Sequence, residues 1–237
     1  HELSIFSSIG ISMYPVDGEE FEAQMKNADL AMYNAKKQGI NKYCFYTKCL
    51  GKSVEKSIEI KNGLKNALSE KKFILHYQPI IDLLTGKIIS TEALIRWNSI
   101  DRGLIFPNDF LPFAERSGLI VQINDWVFNS ALIQVLQWHQ IGHKPLKLSL
   151  NLSKYQLLDK NFSKKLFLLL EELNFPMDKL ILEITEGAIL QNEELCSSIF
   201  KELNDGGIQI YIDNFGQKYS CLNWLLRLPV QVIKIDK

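Results

Sequence analysis

The sequence offers almost nothing from which a covalent or metal cross-link could be built. Its four cysteines (Cys44, Cys49, Cys196, Cys221) are scattered over 237 residues, with no CxxC and no histidine at metal-ligand spacing from a cysteine pair. That excludes a zinc knuckle and a disulfide framework and leaves reduced thiols as the expected state. An excess of charge of one sign is missing too. Lys plus Arg and Asp plus Glu both number 27, so no global field draws in a polyanion, and DNA and RNA polymers are set aside as partners. No apolar run approaches the roughly 20 residues of a membrane span, and the first residues lack the charged and apolar regions of a signal peptide. Fixed-period repeats and low-complexity segments are absent. These absences predict a soluble, cytoplasmic chain.

What is present is a hydrophobic content of 46% with 11% aromatics, enough for one large core or two smaller ones. Residues 3–14, LSIFSSIGISMY, are β-branched and aromatic and predict a strand or hairpin arm. After the turn PVDGEE, Met25, Ala28, Met32 and Ala35 recur at helical spacing up to Gly39, and NKYCFY (41–46) reads as a further strand. The polar segment 47–57, TKCLGKSVEKS, is the expected linker, followed by a helix with Ile60, Leu64 and Leu68 on one face.

From Phe73 onward strands alternate with amphipathic helices. The expected strands are 73–80, 88–97, 147–153, 180–185, 208–214 and 230–236, with helices such as INDWVFNSALIQVLQWHQIG and NFSKKLFLLLEEL between them. This alternation predicts an α/β fold with a parallel sheet. Both ends look cut: the chain opens on His1, and VQVIKIDK closes it as a strand with no helix after it.

Polar residues interrupt strands that should be apolar if buried on both faces. Glu92, Asn151, Glu183 and Asp213 each sit in or at the end of one, the last three at intervals of about 30 residues, the length of one βα unit. Taken singly, each has an ordinary explanation: a surface strand residue, a turn former, half of a salt bridge, an N-cap. Taken together, three carboxylates and an amide oxygen at one rim of a βα barrel require a neutralising cation. Oxygen-only donors select a hard ion, Mg²⁺, Mn²⁺ or Ca²⁺. Lys234, on the last strand, needs an anionic partner and could orient a metal-bound nucleophile or neutralise a phosphoryl oxygen. Arg96 offers a planar fork for a phosphate, and a surface ion pair explains it equally well.

These residues lie in familiar blocks. TEALIRW (91–97) resembles the signature of the EAL domain family, bacterial phosphodiesterases that hydrolyse cyclic di-GMP. YQPI (77–80), FPNDFLPFAERSGLI (106–120), SLNLS (149–153), LEITEG (182–187), IDNFG (212–216) and LPVQVIKID (228–236) follow in that family's order. SSIGISMYP and NADLAMYNAKKQGINKY resemble the C-terminal end of a GGDEF, or diguanylate cyclase, domain, whose signature motif is not in this chain.

The resemblance implies three regions: a GGDEF remnant over 1–46, a linker over 47–57, and an EAL domain over 58–237 in the form of an incomplete TIM-like (βα) barrel. It further implies Mg²⁺ or Mn²⁺ at two sites, cyclic di-GMP as ligand, the linear dinucleotide as product, and allows a homodimer through the EAL domain. By position, Glu92, Asn151, Glu183, Asp213 and Asn214 match the metal ligands and Lys234 the lysine that positions the attacking water. Glu186 matches the glutamate that anchors the loop after Asp213, and Gln78 and Arg96 match ligand contacts.

Three departures temper the expected turnover. Asn214 stands where the family has a second aspartate, so the second ion loses an anionic ligand. Gln217 and Lys218 replace small residues in the next loop. The chain also ends before two further strands that carry a catalytic glutamate and a ligand-binding glutamine. The expectation is a weak or inactive phosphodiesterase, with a non-catalytic cyclic di-GMP-binding or protein-interaction module as the alternative.

Overall fold

A computed structural model describes residues 6–39, 41–100, 102–142, 146–191, 193–216 and 227–235. The chain divides into two units, His1–Asn66 and Ala67–Lys237.

In the first unit, β1 (Ser8–Ile11) and β2 (Lys42–Phe45) pair in parallel, Gly10 opposite Cys44. Parallel neighbours need a crossover, and α1 (Phe21–Gln38) supplies it. Gly10 permits the close approach: a Cβ there would run into the backbone of Ala28 and Met32 on α1. The buried stripe of α1 runs through Leu30, Ala31 and Ala35, whereas Met25, placed on that stripe by its spacing, is 53% exposed.

The expected linker is helical. Residues 48–57 open α2 (Lys48–Ala67), and Val54 within them is 2% exposed. Leu50 and Val54 prolong the spacing of Ile60, Leu64 and Ala67, so one stripe runs the length of the helix and the polar residues between are its wet face. Leu68, expected on this helix, lies just past its end.

The second unit is a sheet in the order β3–β4–β6–β7–β8–β9, with β5 paired to β4. The strands are β3 (Phe73–Ile81), β4 (Ile88–Ser99), β5 (Gly103–Ile105), β6 (Lys147–Asn151), β7 (Leu180–Thr185), β8 (Gln209–Phe215) and β9 (Val232–Ile235). Between β5 and β6 lie α3 (Pro107–Ser117) and α4 (Ile120–Gln140), and between β6 and β7 lie α5 (Lys154–Leu157) and α6 (Phe162–Glu172). Between β7 and β8 lie α7 (Glu186–Ile189) and α8 (Glu193–Asp205). Strands β4, β6, β7, β8 and β9 are mutually parallel, and β3 and β5 are antiparallel to β4. Parallel strands alternating with helices, opened by one antiparallel strand, make a TIM-like α/β arrangement. Among the described residues the sheet runs from β3 to β9.

The register explains why these strands do not read as unbroken apolar runs. Leu150, Leu182 and Ile210 align across β6, β7 and β8, and Ile184 aligns with Ile212; all are fully buried. The other face carries Ser149, Asn151, Glu183, Tyr211 and Asp213. One face is therefore core and the other is a polar interior. Around β3 an aromatic cluster of Phe73, Trp97, Phe110 and Trp126 closes the core, with ring centroids 5.7–6.4 Å apart about Phe73.

Candidate active site

Successive site residues climb the sheet. Glu92 is level with Ser149, Asn151 two residues on is level with Glu183, and Asp213 lies two beyond Tyr211, the partner of Glu183. The climb has the sense expected of tilted, staggered strands in a barrel, and it brings distant side chains to one place. Their meeting point is the ammonium of Lys234. It donates to Glu183 Oε2 at 2.5 Å and to Glu92 Oε2 at 2.9 Å, and lies 3.8 Å from Asp213 Oδ1. Asn151 Nδ2 donates to Glu92 Oε1 at 2.9 Å.

Glu183 is the most buried member, at 1% exposure. Burial, and then the neighbouring charge of Glu92, push its carboxyl above the usual carboxylate range, against the opposing bonds from Lys234 and Ser149. Burial pulls Lys234 down, but its bonds to Glu183 and Glu92 win and hold the ammonium above its ordinary value. Burial and the charge of Glu183 also raise the Tyr211 phenol.

A bulge shapes the end of β8. Pairing with β9 shifts between Ile212 and Phe215, and Asn214 within the shift has φ 54°. Asparagine tolerates that left-handed conformation better than most residues. Consecutive strand residues normally face opposite ways; the bulge re-aims them so that Asn214 Nδ2 reaches Asp213 Oδ2 at 2.9 Å. Glu186 opens α7, is 2% exposed, and accepts from the Gly216 N–H at 3.4 Å through Oε2. Its Oε1 is buried with no hydrogen-bond partner. Gln217, Lys218 and Cys221 lie outside the described residues.

Gln78 pairs with Glu92 across β3 and β4, which puts it on the site face, and it is exposed. Arg96 stands apart from the carboxylates in a cleft of about 440 Å³ that also touches Glu92, Asn151 and Asp213. Its guanidinium donates to the Ile95 carbonyl at 2.8 Å and lies 5.0 Å from the Phe106 ring centre, while Nε is buried and unpaired. Arg96 is thus a guanidinium stacked on Phe106 with one buried donor unspent.

Two members carried little signal in the sequence. Ser149 is fully buried and donates to Glu183 Oε1 at 2.5 Å; its position two residues before Asn151 on the same strand was the available clue. Asn124 on α4 lines the cleft and donates to Ser153 Oγ at 2.7 Å and Gln156 Oε1 at 3.0 Å. Those two residues form the capping box that starts α5 just beyond Asn151.

As placed, no three acidic, imidazole or thiol groups among the described residues stand ready to close round one ion. The donor chemistry nonetheless fits a hard divalent cation. All the donors are oxygen, and three carboxylates against one ammonium leave two negative charges uncompensated.

The site is thus a TIM-like sheet whose strand residues gather three carboxylates beside a cleft of about 440 Å³. Residues 61–237 match the EAL domain model, and the chain belongs to the EAL domain family. Residues 1–42 match the model for the GGDEF, or diguanylate cyclase, domain. The whole chain is 39% identical over 237 residues to the bifunctional diguanylate cyclase/cyclic di-GMP phosphodiesterase MucR of Pseudomonas aeruginosa, covering 35% of that protein. It is 37% identical over 230 residues, 97% of its length, to the cyclic di-GMP phosphodiesterase PdeR of Escherichia coli, covering 34% of it. The chain thus spans about a third of the length of these curated relatives. Among solved structures, the PaMucR phosphodiesterase in its c-di-GMP complex superposes with a TM-score of 0.72 at 37% identity, over 75% of this chain and 72% of that one. EAL phosphodiesterases are metal-dependent. No helix among the described residues is long and apolar enough to cross a membrane.

Proposed function

We propose that the unit Ala67–Lys237 is a cyclic di-GMP phosphodiesterase site, hydrolysing one phosphodiester to give the linear dinucleotide, with turnover slowed by Asn214. The observation that carries this reading is the convergence of Glu92, Glu183 and Asp213 on Lys234, from four strands, with Asn151 hydrogen-bonded to Glu92. Glu92, Asn151, Glu183 and Asp213 would hold a divalent ion, Mg²⁺ or Mn²⁺, with Asn214 as a weak neutral donor to a second. Bound there, the ion supplies a water of lowered pKa and stabilises charge on the phosphoryl oxygens.

The remaining chemistry falls to the chain's own groups. Arg96, lining the cleft with Phe106 beneath it, takes a phosphate oxygen. Gln78, exposed on the same face, contacts the ligand from β3. Lys234 steers the attacking water by hydrogen bonding, and Glu186 fixes the backbone after Asp213 through Gly216. The cytoplasmic location, the absence of a nucleic-acid polymer among the partners and the homodimer allowed by the family resemblance belong to the same proposal.

Incubating the chain with cyclic di-GMP and Mn²⁺ and separating the products by chromatography tests the reading. Linear dinucleotide is expected, and none with Glu92→Gln. One observation favours a second reading, binding without turnover: Asn214 spends its amide N–H on Asp213 instead of adding a negative charge. Calorimetric binding of cyclic di-GMP with no product formed selects that reading, and neither binding nor product refutes both.

A further inference from the structure

We propose that Lys234 is a tethered cation that competes with the divalent ion for the same carboxylates. This rests on the metal-site reading above and adds a second position for the Lys234 side chain. The ammonium uses Glu183 Oε2 and Glu92 Oε2 as acceptors and sits beside Asp213 Oδ1. An ion shared by those carboxylates draws on the same inner oxygens, which face one another across the ammonium, while each outer oxygen already accepts a hydrogen bond. Glu183 Oε1 accepts from Ser149, Glu92 Oε1 from Asn151 and Asp213 Oδ2 from Asn214.

The inner oxygens are thus a single set with two claimants, and ion binding must swing Lys234 outward. With its flexible stem and partial exposure, the side chain has room to move without shifting β9. While inward, the ammonium offsets repulsion among three carboxylates that would otherwise destabilise the folded unit. The cost of moving it lowers the apparent ion affinity, as any competing closed state does.

Calorimetric titration of Mn²⁺ into the 237-residue chain, Lys234→Met, Lys234→Arg and Glu183→Gln tests this, with thermal unfolding followed in chelator and in excess Mn²⁺. Lys234→Met is expected to bind Mn²⁺ roughly tenfold more tightly than wild type, through removal of one competing charge. It should also melt lower in chelator and regain more of its melting temperature on Mn²⁺ addition. Lys234→Arg, which keeps the charge, should bind no more tightly than wild type. Should Lys234→Met fail to fold in chelator, refolding it in Mn²⁺ gives the same comparison, and failure in Mn²⁺ as well overturns the proposal. Equal or weaker Mn²⁺ binding by Lys234→Met overturns it too, while loss of binding in Glu183→Gln alone leaves the metal-site reading standing. If no variant and no wild-type chain binds Mn²⁺, both fall.

Discussion

Replacing Ser149 with alanine isolates one interaction at the centre of the site. Ser149 is fully buried, so no water takes the place of its hydroxyl, and Glu183 Oε1 then keeps its charge without its donor. A hydrogen bond to a charged group contributes about 1.5–3 kcal/mol, and the substitution otherwise removes a single oxygen. For a unit of this size that corresponds to a fall of roughly 3–12 °C in melting temperature. The Glu183 carboxyl, already raised by burial and by Glu92, should rise further, since Ser149 is one of two groups favouring its ionised form. All four tryptophans lie beyond Ala67, so intrinsic fluorescence follows this unit alone. In a Glu183→Gln background the acceptor is neutral and the same substitution should cost only about 0.5–1.5 kcal/mol. A double-mutant cycle in urea reads the difference. Ser149→Ala as stable as wild type, or equally costly in both backgrounds, refutes the assignment.

Gly10→Ala should separate α1 from β1, because the added methyl meets the Ala28 and Met32 backbone; a loss of about 1–3 kcal/mol or more is expected in the first unit. Limited proteolysis between residues 6 and 46 reports it, and unchanged resistance contradicts the packing. Burial beside Trp138 pushes the Tyr77 phenol up to about 12, against about 10 in the unfolded chain. The neutral phenol therefore contributes stability that is complete below pH 10 and lost as pH rises through 12, so Tyr77→Phe should lose less stability across that window. Equal alkaline losses contradict it. Asn214→Asp exchanges the bond to Asp213 for a carboxylate repulsion, so it should melt lower in chelator and, in Mn²⁺, hydrolyse cyclic di-GMP roughly tenfold faster or more. No gain in rate contradicts the proposal that Asn214 slows turnover.

Much of this was readable from residues alone, for reasons that differ by element. The runs beginning at Phe73, Ile88, Lys147, Leu180 and Gln209 are rich in apolar residues and set off by polar turns or helices, and they are strands. Glu92, Asn151, Glu183, Asp213 and Lys234 stood out because polar groups in such runs are costly, and they do share one face of the sheet. The start of α2 was hidden because polar residues dominate 47–57, where Val54 is buried and Leu50 half-buried. Met25 kept the helical period but sits at the solvent end of its stripe. Strand β5, three residues long, exists through its pairing with Trp97, Asn98 and Ser99 on β4, which no local pattern encodes. The bulge at Asp213–Asn214 is equally non-local, since it depends on the pairing of β8 with β9. Serine in a strand is unremarkable by composition, so Ser149 emerges only when its hydroxyl is seen against Glu183.

Anomalous scattering from a Mn²⁺-soaked crystal puts the convergence of these strands to its most direct trial. A single strong peak bounded by Glu92, Asn151, Glu183 and Asp213, with the Lys234 ammonium moved off the inner oxygens, is the outcome expected. A peak elsewhere, or none while Lys234 stays between Glu92 and Glu183, means that these side chains form an ion-pair network and nothing more.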